Sequence, residues 1–353
     1  MTFVPRRIAL VRLSALGDVV HALPVAAALR RHRPDAWIAW VVERRQAALL
    51  RGHPALDAVI ELDSRAWRRA APRAALTALR ESRRVLRSVG VDAAIDLQGL
   101  VKSGIVTRAT RAPLRIGFSA GRCRERLNTL FTNRRVTPGP ECVHAVDQYL
   151  ALLRPLGVTS PCVEFDLPRD EDAEARVDDF FAGAGLKPRQ RLVALNPGAG
   201  NPDKRWAPAR FGALARWLAG EGMAVLVTWG PGEESTAREI AATGGAGVTP
   251  APPTNLFGLL AVLRRASVVV AADTGPLHLA AALGRPCVGL YAPPADSLNG
   301  AARTGPYGAG HRIVQSPDGT MESIAVEPVA TAALELVERG SATPQAVRRP
   351  RQA

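Results

Sequence analysis

Short apolar runs alternate with amphipathic stretches from one end of the chain to the other. Ile8–Leu13, Trp37–Val42, Ala58–Leu62 and Ala93–Leu97 are brief and rich in aliphatic side chains, the pattern of strands buried on both faces. Between and after them lie stretches with helical spacing: Val19–Arg31, Ala145–Leu156 and the long basic segment Arg68–Val89, whose Leu76, Leu79, Val85 and Leu86 recur near helical spacing. Then the pattern restarts. Leu192–Asn196, Ala224–Trp229, Ser267–Ala271 and Cys287–Tyr291 read as strands; Pro208–Ala219, Glu233–Ala242, Leu256–Arg265, Pro276–Leu283 and Glu327–Arg339 read as helices. Such alternation predicts an α/β protein with mostly parallel sheets, arranged as two successive doubly wound halves.

Composition marks the join. Thr159–Gln190 carries Pro161, Pro168 and Pro188 and the acidic run Asp170, Glu171, Asp172 and Glu174. The connection is therefore expected around Gly157–Pro168, followed by a short acidic helix. Residues 1–160 then form one domain, residues 161–339 a second, and residues 340–353 a disordered tail. In a pair of this kind the ligand crevice lies between the halves, outside the carboxyl ends of the strands.

Charge distinguishes the halves. The net charge is +14, but residues 1–160 hold 27 basic and 12 acidic residues, against 19 and 20 in residues 161–353. A compositional bias toward arginine would load both halves alike. The asymmetry instead favours a partner with clustered negative charge at the first half: nucleic acid, an anionic membrane or a phosphorylated glycolipid. Aromatic residues make up only 5%, too few for the stacking platforms of single-stranded nucleic acid, so that partner is not expected. Cys123, Cys142, Cys162 and Cys287 are scattered, with no Cys-x-x-Cys pair, and fit small core residues in a reducing compartment. No apolar run approaches the roughly 20 residues that span a bilayer. Arg12 and Asp18 interrupt the apolar stretch after Arg6 and Arg7, so the N-terminus reads as a first strand rather than a signal peptide, and the protein is expected in the cytoplasm.

Each cluster with chemical potential follows a strand. In the first, Ser14 to Asp18, Gly17 permits a tight turn; Asp18 either caps the next helix or presents a carboxylate to accept a hydroxyl proton. In the second, Asn196 to Gly200 with Lys204 and Arg205, glycines let backbone amides approach an anion and Lys204 can neutralise phosphate. It lacks the Gly-Lys-Ser/Thr of a phosphate-binding ATPase loop, and no Gly-x-Gly-x-x-Gly follows the first strand. In the third, Trp229 to Glu234, an acidic side chain either holds ribose hydroxyls or only complements a helix dipole. The fourth, Ala272 to Gly284, puts Pro276 at a first helical position after Gly275, so that first-turn amides, the Thr274 hydroxyl and His278 converge on a point suited to a diphosphate. The only Asp-x-Asp, Asp170–Asp172, falls in the acidic helix rather than after a strand, so neither a metal nor another cofactor is expected. A diphosphate leaving such a site is stabilised by helix dipoles and side-chain cations.

The fourth cluster resembles the signature of the lipopolysaccharide heptosyltransferases, glycosyltransferase family 9. The resemblance runs from Arg7 to about Val337 and takes in Arg12 through Asp18 and His21 to Pro24, Trp40 to Glu43, Asp96 to Ser103, His144 to Asp147, Lys204 to Trp206 and Asp273 to His278. The segments Trp40–Glu43 and Asp96–Ser103 look most like heptosyltransferase I. The resemblance implies a GT-B fold with two Rossmann-like domains and an inverting, metal-independent transfer of heptose from ADP-heptose to Kdo–lipid A at the cytoplasmic face of the inner membrane. It implies that Asp18 is the general base and that Ser14, Gly17, Gln98 and Lys102 meet the acceptor. It assigns Lys204, Thr274, Gly275 and His278 to the diphosphate, Asp273 to the donor sugar and Glu234 to the ribose, with Glu233 as the rival. The sequence departs from relatives at Tyr291 to Pro294, where alanine and proline replace a common Gly-Pro-Thr. Two other readings share the donor features: a second subfamily with a different glycolipid acceptor, and a GT-B sugar-nucleotide epimerase that releases free sugar.

Overall fold

Backbone amides and carbonyls of the apolar runs must be paired once buried, and parallel strands covered by helices on both faces achieve this. The computed structural model describes residues 4–63, 72–187, 190–295 and 297–342. It divides into two compact units, Met1–Pro168 and Arg169–Ala353. The proline-bearing stretch Gly157–Pro168 ends the first unit.

In the first unit the strands are β1 (Arg7–Val11), β2 (Trp37–Glu43), β3 (Ala58–Leu62), β4 (Ala93–Asp96), β5 (Leu114–Phe118) and β6 (Arg134–Val136). They form one sheet in the order β3-β2-β1-β4-β5-β6, every neighbouring pair parallel. The helices are α1 (Leu16–His32), α2 (Pro72–Ser88), α3 (Val101–Ala109) and α4 (Ala145–Ala151). Strand order reverses between β1 and β4, where Val11 pairs with Asp96. Such a switch point opens a crevice beyond the strand ends, because the connections leave in opposite directions.

The second unit begins with α5 (Glu171–Gly183), the acidic helix, capped by the Asp170 carboxylate on the Ala173 amide at 2.7 Å. Its strands are β7 (Leu192–Asn196), β8 (Ala224–Val227), β9 (Val248–Pro250), β10 (Val268–Ala272), β11 (Cys287–Tyr291) and β12 (Arg312–Gln315), and its further helices are α6 (Pro208–Gly220), α7 (Glu234–Gly244), α8 (Leu256–Arg265), α9 (Gly275–Ala282), α10 (Ala301–Thr304) and α11 (Val326–Ala342). The order β12-β11-β10-β7-β8-β9, again all parallel, is the first sheet's order repeated. Its switch point lies between β7 and β10, where Asn196 pairs with Ala271. Trp206 and Phe211 meet edge to face inside this core, and the Trp206 indole donates to the Ile324 carbonyl at 2.9 Å, which ties the β7 loop to the approach to α11.

The elements that periodicity does not reveal are β5, α3, the single-turn α10 and the edge strands β6, β9 and β12. These three edge strands are short, and β6 carries Arg134 and Arg135, so they lack the buried apolar signature. Helix α3 contains Gly104, a poor helix former, because a Cβ there would lie 2.6 Å from the Phe131 ring. Of the expected basic helix, α2 accounts for Pro72–Ser88; its expected start lies outside the described residues. Helix α11 continues to Ala342, and residues 343–353 of the expected tail also lie outside them.

Candidate active site

At the end of β1, Arg12 is 1% exposed, and a guanidinium that deep requires a partner. It finds the Asp18 carboxylate, Nη2 to Oδ2 at 2.6 Å, while Nη1 donates to the Leu97 carbonyl at 2.8 Å beyond β4. The Tyr149 ring lies 5.1 Å from the guanidinium carbon, and the Trp40 indole donates to the Arg12 carbonyl at 3.1 Å. Asp18 also accepts from the Ala15 amide at 3.2 Å, so it caps α1 and forms an ion pair at once. It keeps 25% of its side chain in contact with solvent, so a substrate hydroxyl can reach it. Burial pushes its carboxyl up, but the charges of Arg12 and Arg124 and the Ala15 amide outweigh burial and hold it below the usual aspartate range. The carboxylate is ionised at neutral pH and able to accept a proton.

Gly17 is buried at the start of α1 and Ser14 is half-buried before it. Beyond β4, the wholly buried Asp96 organises the loop: Oδ1 accepts from the Gln98 and Gly99 amides at 2.9 and 3.0 Å, and Oδ2 accepts from the Ser103 hydroxyl at 2.9 Å and the Asn128 amide at 2.6 Å. Gln98 is buried too, and its Oε1 accepts from the Leu13 amide at 2.9 Å, which joins the β1 and β4 ends. Lys102 on α3 is paired with Glu43 at the end of β2. Ser14, Gly17, Asp18, Gln98 and Lys102 thus all border one switch point. Arg12, Asp96, Asn128 and Glu43 support them, although sequence reasoning gave these four no role. The available signal was charge at a strand end: a buried Arg or Asp after an apolar run implies a partner.

The second switch point gathers the other candidates. Asp273, after β10, accepts from His278 Nε2 at 3.0 Å and from the Tyr291 hydroxyl at 3.2 Å through Oδ1, and pairs through Oδ2 with Lys204 from the β7 loop. Burial pushes this carboxyl up, yet His278 and Lys204 hold it below the usual range. The Tyr291 hydroxyl also donates to the Thr304 carbonyl at 2.9 Å; burial, then Asp273, push it well above an ordinary phenol. Lys204 and His278 therefore meet on a carboxylate, Asp273. Thr274 sits at the N-cap of α9 without bonding its first-turn amides; its hydroxyl donates to the Ala272 carbonyl at 3.2 Å. With Pro276 in the first turn, the helix start at Gly275 is open to an anion.

The two glutamates after β8 differ. Glu233 turns back, accepting from the Gly230 amide at 2.9 Å, and lies so close to Gly198 that a Cβ there would meet its carboxylate at 2.2 Å. Glu234 stays on the surface of α7, paired with Arg238 one turn on at 2.6 Å. Among the described residues, no group of three or more His, Cys, Asp or Glu side chains could hold a metal ion, and no helix is long and apolar enough to cross a membrane.

A family model for glycosyltransferase family 9 (heptosyltransferase) matches residues 79–328. The chain is 30% identical over 325 residues to lipopolysaccharide heptosyltransferase 1 of Escherichia coli O18:K1:H7, spanning 92% of this chain and 95% of that relative. Two solved structures of an E. coli heptosyltransferase, WaaC, are similar along nearly the whole length. The complex with ADP gives a TM-score of 0.76 at 28% identity, over 95% of this chain and 99% of that one. The complex with ADP-2-deoxy-2-fluoro heptose gives 0.75 at 29%, over 94% and 99%. The two doubly wound units are those of the GT-B fold. The chain belongs to glycosyltransferase family 9, the heptosyltransferases.

Proposed function

We propose that this chain transfers heptose from ADP-heptose to Kdo–lipid A, with inversion and without a metal ion, at the cytoplasmic face of the inner membrane. The observation that carries the reading is the ionised Asp18, set at a strand-to-helix turn beside buried Arg12. The acceptor hydroxyl gives its proton to the Asp18 carboxylate as its oxygen bonds to the anomeric carbon of heptose. The bond from that carbon to the β-phosphate oxygen breaks, and its electron pair leaves with ADP. Lys204, His278 and the open start of α9 stabilise the charge on the departing diphosphate. Asp273 contacts the heptose and Glu234 the ribose. Ser14, Gly17, Gln98 and Lys102 border the acceptor.

Similarity to a heptosyltransferase solved with ADP and with an ADP-heptose analogue supports the donor. Relatives named lipopolysaccharide heptosyltransferase 1 support the acceptor class, as does the basic first half. The test incubates the purified chain with ADP-heptose and either Kdo–lipid A or an already heptosylated core, with and without chelator. Heptosylated Kdo–lipid A should form at the same rate in chelator. Product on the heptosylated core alone would assign a different acceptor, free heptose without acceptor would favour an epimerase-like reaction, and loss of activity restored by Mg²⁺ would sink the metal-free mechanism.

A further inference from the structure

The segment joining β5 to β6 exposes the residues that a folded chain normally hides. Arg126–Leu130 forms a 3-10 turn with three residues per turn, so Leu127 and Leu130 project on one side. They are 64% and 73% exposed. Asn128 faces the other way, fully buried, and donates to Asp96 and to the Leu100 carbonyl at 2.6 and 2.7 Å. The segment lies close against α3 at Gly104, and the next α3 residue, Ile105, is 48% exposed. The apolar tips are thus held by a rigid polar anchor beneath them.

Exposed cations are dense along the same stretch of chain and on α3. Arg108 lies three residues from Ile105 on α3, and Arg122, Arg124, Arg126, Arg134 and Arg135 are all exposed. Arg135 donates to the Thr129 carbonyl at 3.1 Å. The one acidic residue between Ser119 and Pro140 is Glu125, and its carboxylate is turned onto the Val101 amide at 2.6 Å. Single exposed leucines need no explanation, but paired ones on one face, in a segment rich in exposed arginines, point to an interaction site. Apolar tips that enter the acyl boundary while arginines meet phosphates are how a peripheral surface holds an anionic bilayer.

We infer that the face formed by Leu127 and Leu130, with the nearby exposed Ile105 and the exposed arginines of the same segment, is a docking surface for an anionic lipid bilayer. Its location fits a lipid-linked substrate: the Glu125 amide donates to the Gly99 carbonyl at 3.0 Å, Asn128 holds Asp96, and the charge of Arg124 reaches Asp18. The surface adjoins the strand ends assigned above to the acceptor, so a reacting hydroxyl can reach Asp18 while its lipid stays in the membrane. That purpose rests on the proposed acceptor; the surface itself does not.

The test is sedimentation of the full chain with vesicles of mixed phosphatidylglycerol and phosphatidylethanolamine, and with phosphatidylcholine alone. Wild type should bind the anionic vesicles and not the neutral ones. Leu127→Ser/Leu130→Ser should lower that affinity by about tenfold or more, and Leu130→Ser alone by less, since binding scales with the apolar area inserted. Melting temperature and ADP affinity should be unchanged in both. Arg126→Gln/Arg134→Gln/Arg135→Gln should weaken binding and flatten its salt dependence. Wild-type affinity in the double leucine variant overturns the inference, because the contact is then charge alone. Failure of wild type to bind, or leucine-dependent self-association in place of binding, overturns it too. No sugar is present in these measurements, so failure of transfer to Kdo–lipid A would sink the acceptor assignment and leave this surface standing.

Discussion

The proposed general base, Asp18, carries two loads. It caps α1 and balances a buried guanidinium, so substitution tests catalysis only if folding and donor binding are followed alongside. Asp18→Asn is expected to lower turnover by about 10²–10⁴-fold, the usual contribution of a general base, with ADP-heptose affinity by calorimetry largely kept. Near-normal turnover would reduce Asp18 to a cap. Its titration gives a gentler probe. The folded carboxyl lies below its ordinary value because Arg12 and Arg124 outweigh burial, so kcat/KM should stay level down to acidic pH and fall only below the usual aspartate range. Arg124→Gln removes one lowering charge from an exposed position, so the acid limb should move to higher pH. An unmoved limb would detach the limb from Asp18. In the other unit, Lys204 and His278 are both bound to Asp273. Asp273→Asn removes the competing charge, so ADP should bind more tightly while transfer slows, because the donor sugar would lose its proposed contact. Weaker ADP binding in that variant would make Asp273 part of the diphosphate site rather than its rival.

At the scale of elements, what was legible in the sequence was whatever burial demands. Apolar runs became the central strands and the edge strand β3, and all four chemical clusters proved to sit beyond strand ends, three of them at or across from a switch point. What was not legible depends on neighbours distant in sequence. The edge strands β6, β9 and β12 have half a burial signal, and α3 tolerates Gly104 only because Phe131 lies against it. Likewise Lys204 and His278 announce an anion site in any linear reading, while their shared partner Asp273 emerges only when β7 and β10 are adjacent. The pair after β8 shows the same limit: adjacent glutamates look equivalent in sequence, yet Glu233 braces the turn at Gly230 while Glu234 stands on the α7 surface with Arg238. Glu233→Gln is expected to lower the melting temperature, by loosening a charge-assisted bond worth roughly 1.5–3 kcal/mol, with a smaller effect on ADP. Glu234→Gln should weaken ADP binding and leave stability nearly unchanged, since an exposed i,i+4 pair contributes only about 0.3–0.5 kcal/mol. Calorimetry and thermal melts on the two variants decide; the reverse pattern would move the ribose contact to Glu233.

For the molecule as a whole, the unequal division of charge sets apart the two binding events of a glycosyltransferase. Residues 1–160 hold 27 basic against 12 acidic residues, and residues 161–353 hold 19 against 20. Many of the first set are exposed arginines, whose attraction for an anionic partner is screened beyond about 8 Å at physiological ionic strength. Acceptor affinity should therefore fall steeply as salt rises. The donor is expected to behave differently, because its diphosphate is proposed to meet backbone amides at the start of α9, the part-buried Lys204 and the buried His278 at short range, where salt screens little. The measurement is a pair of titrations on one preparation, ADP-heptose and a micelle-dispersed Kdo–lipid A, from low to high salt. The acceptor slope should be clearly the steeper, and the Arg126→Gln/Arg134→Gln/Arg135→Gln variant should flatten it without touching the donor slope. Equal slopes would mean that the basic first half reflects composition alone. The acceptor assignment would then rest on family membership, with no electrostatic support from the chain's own residues.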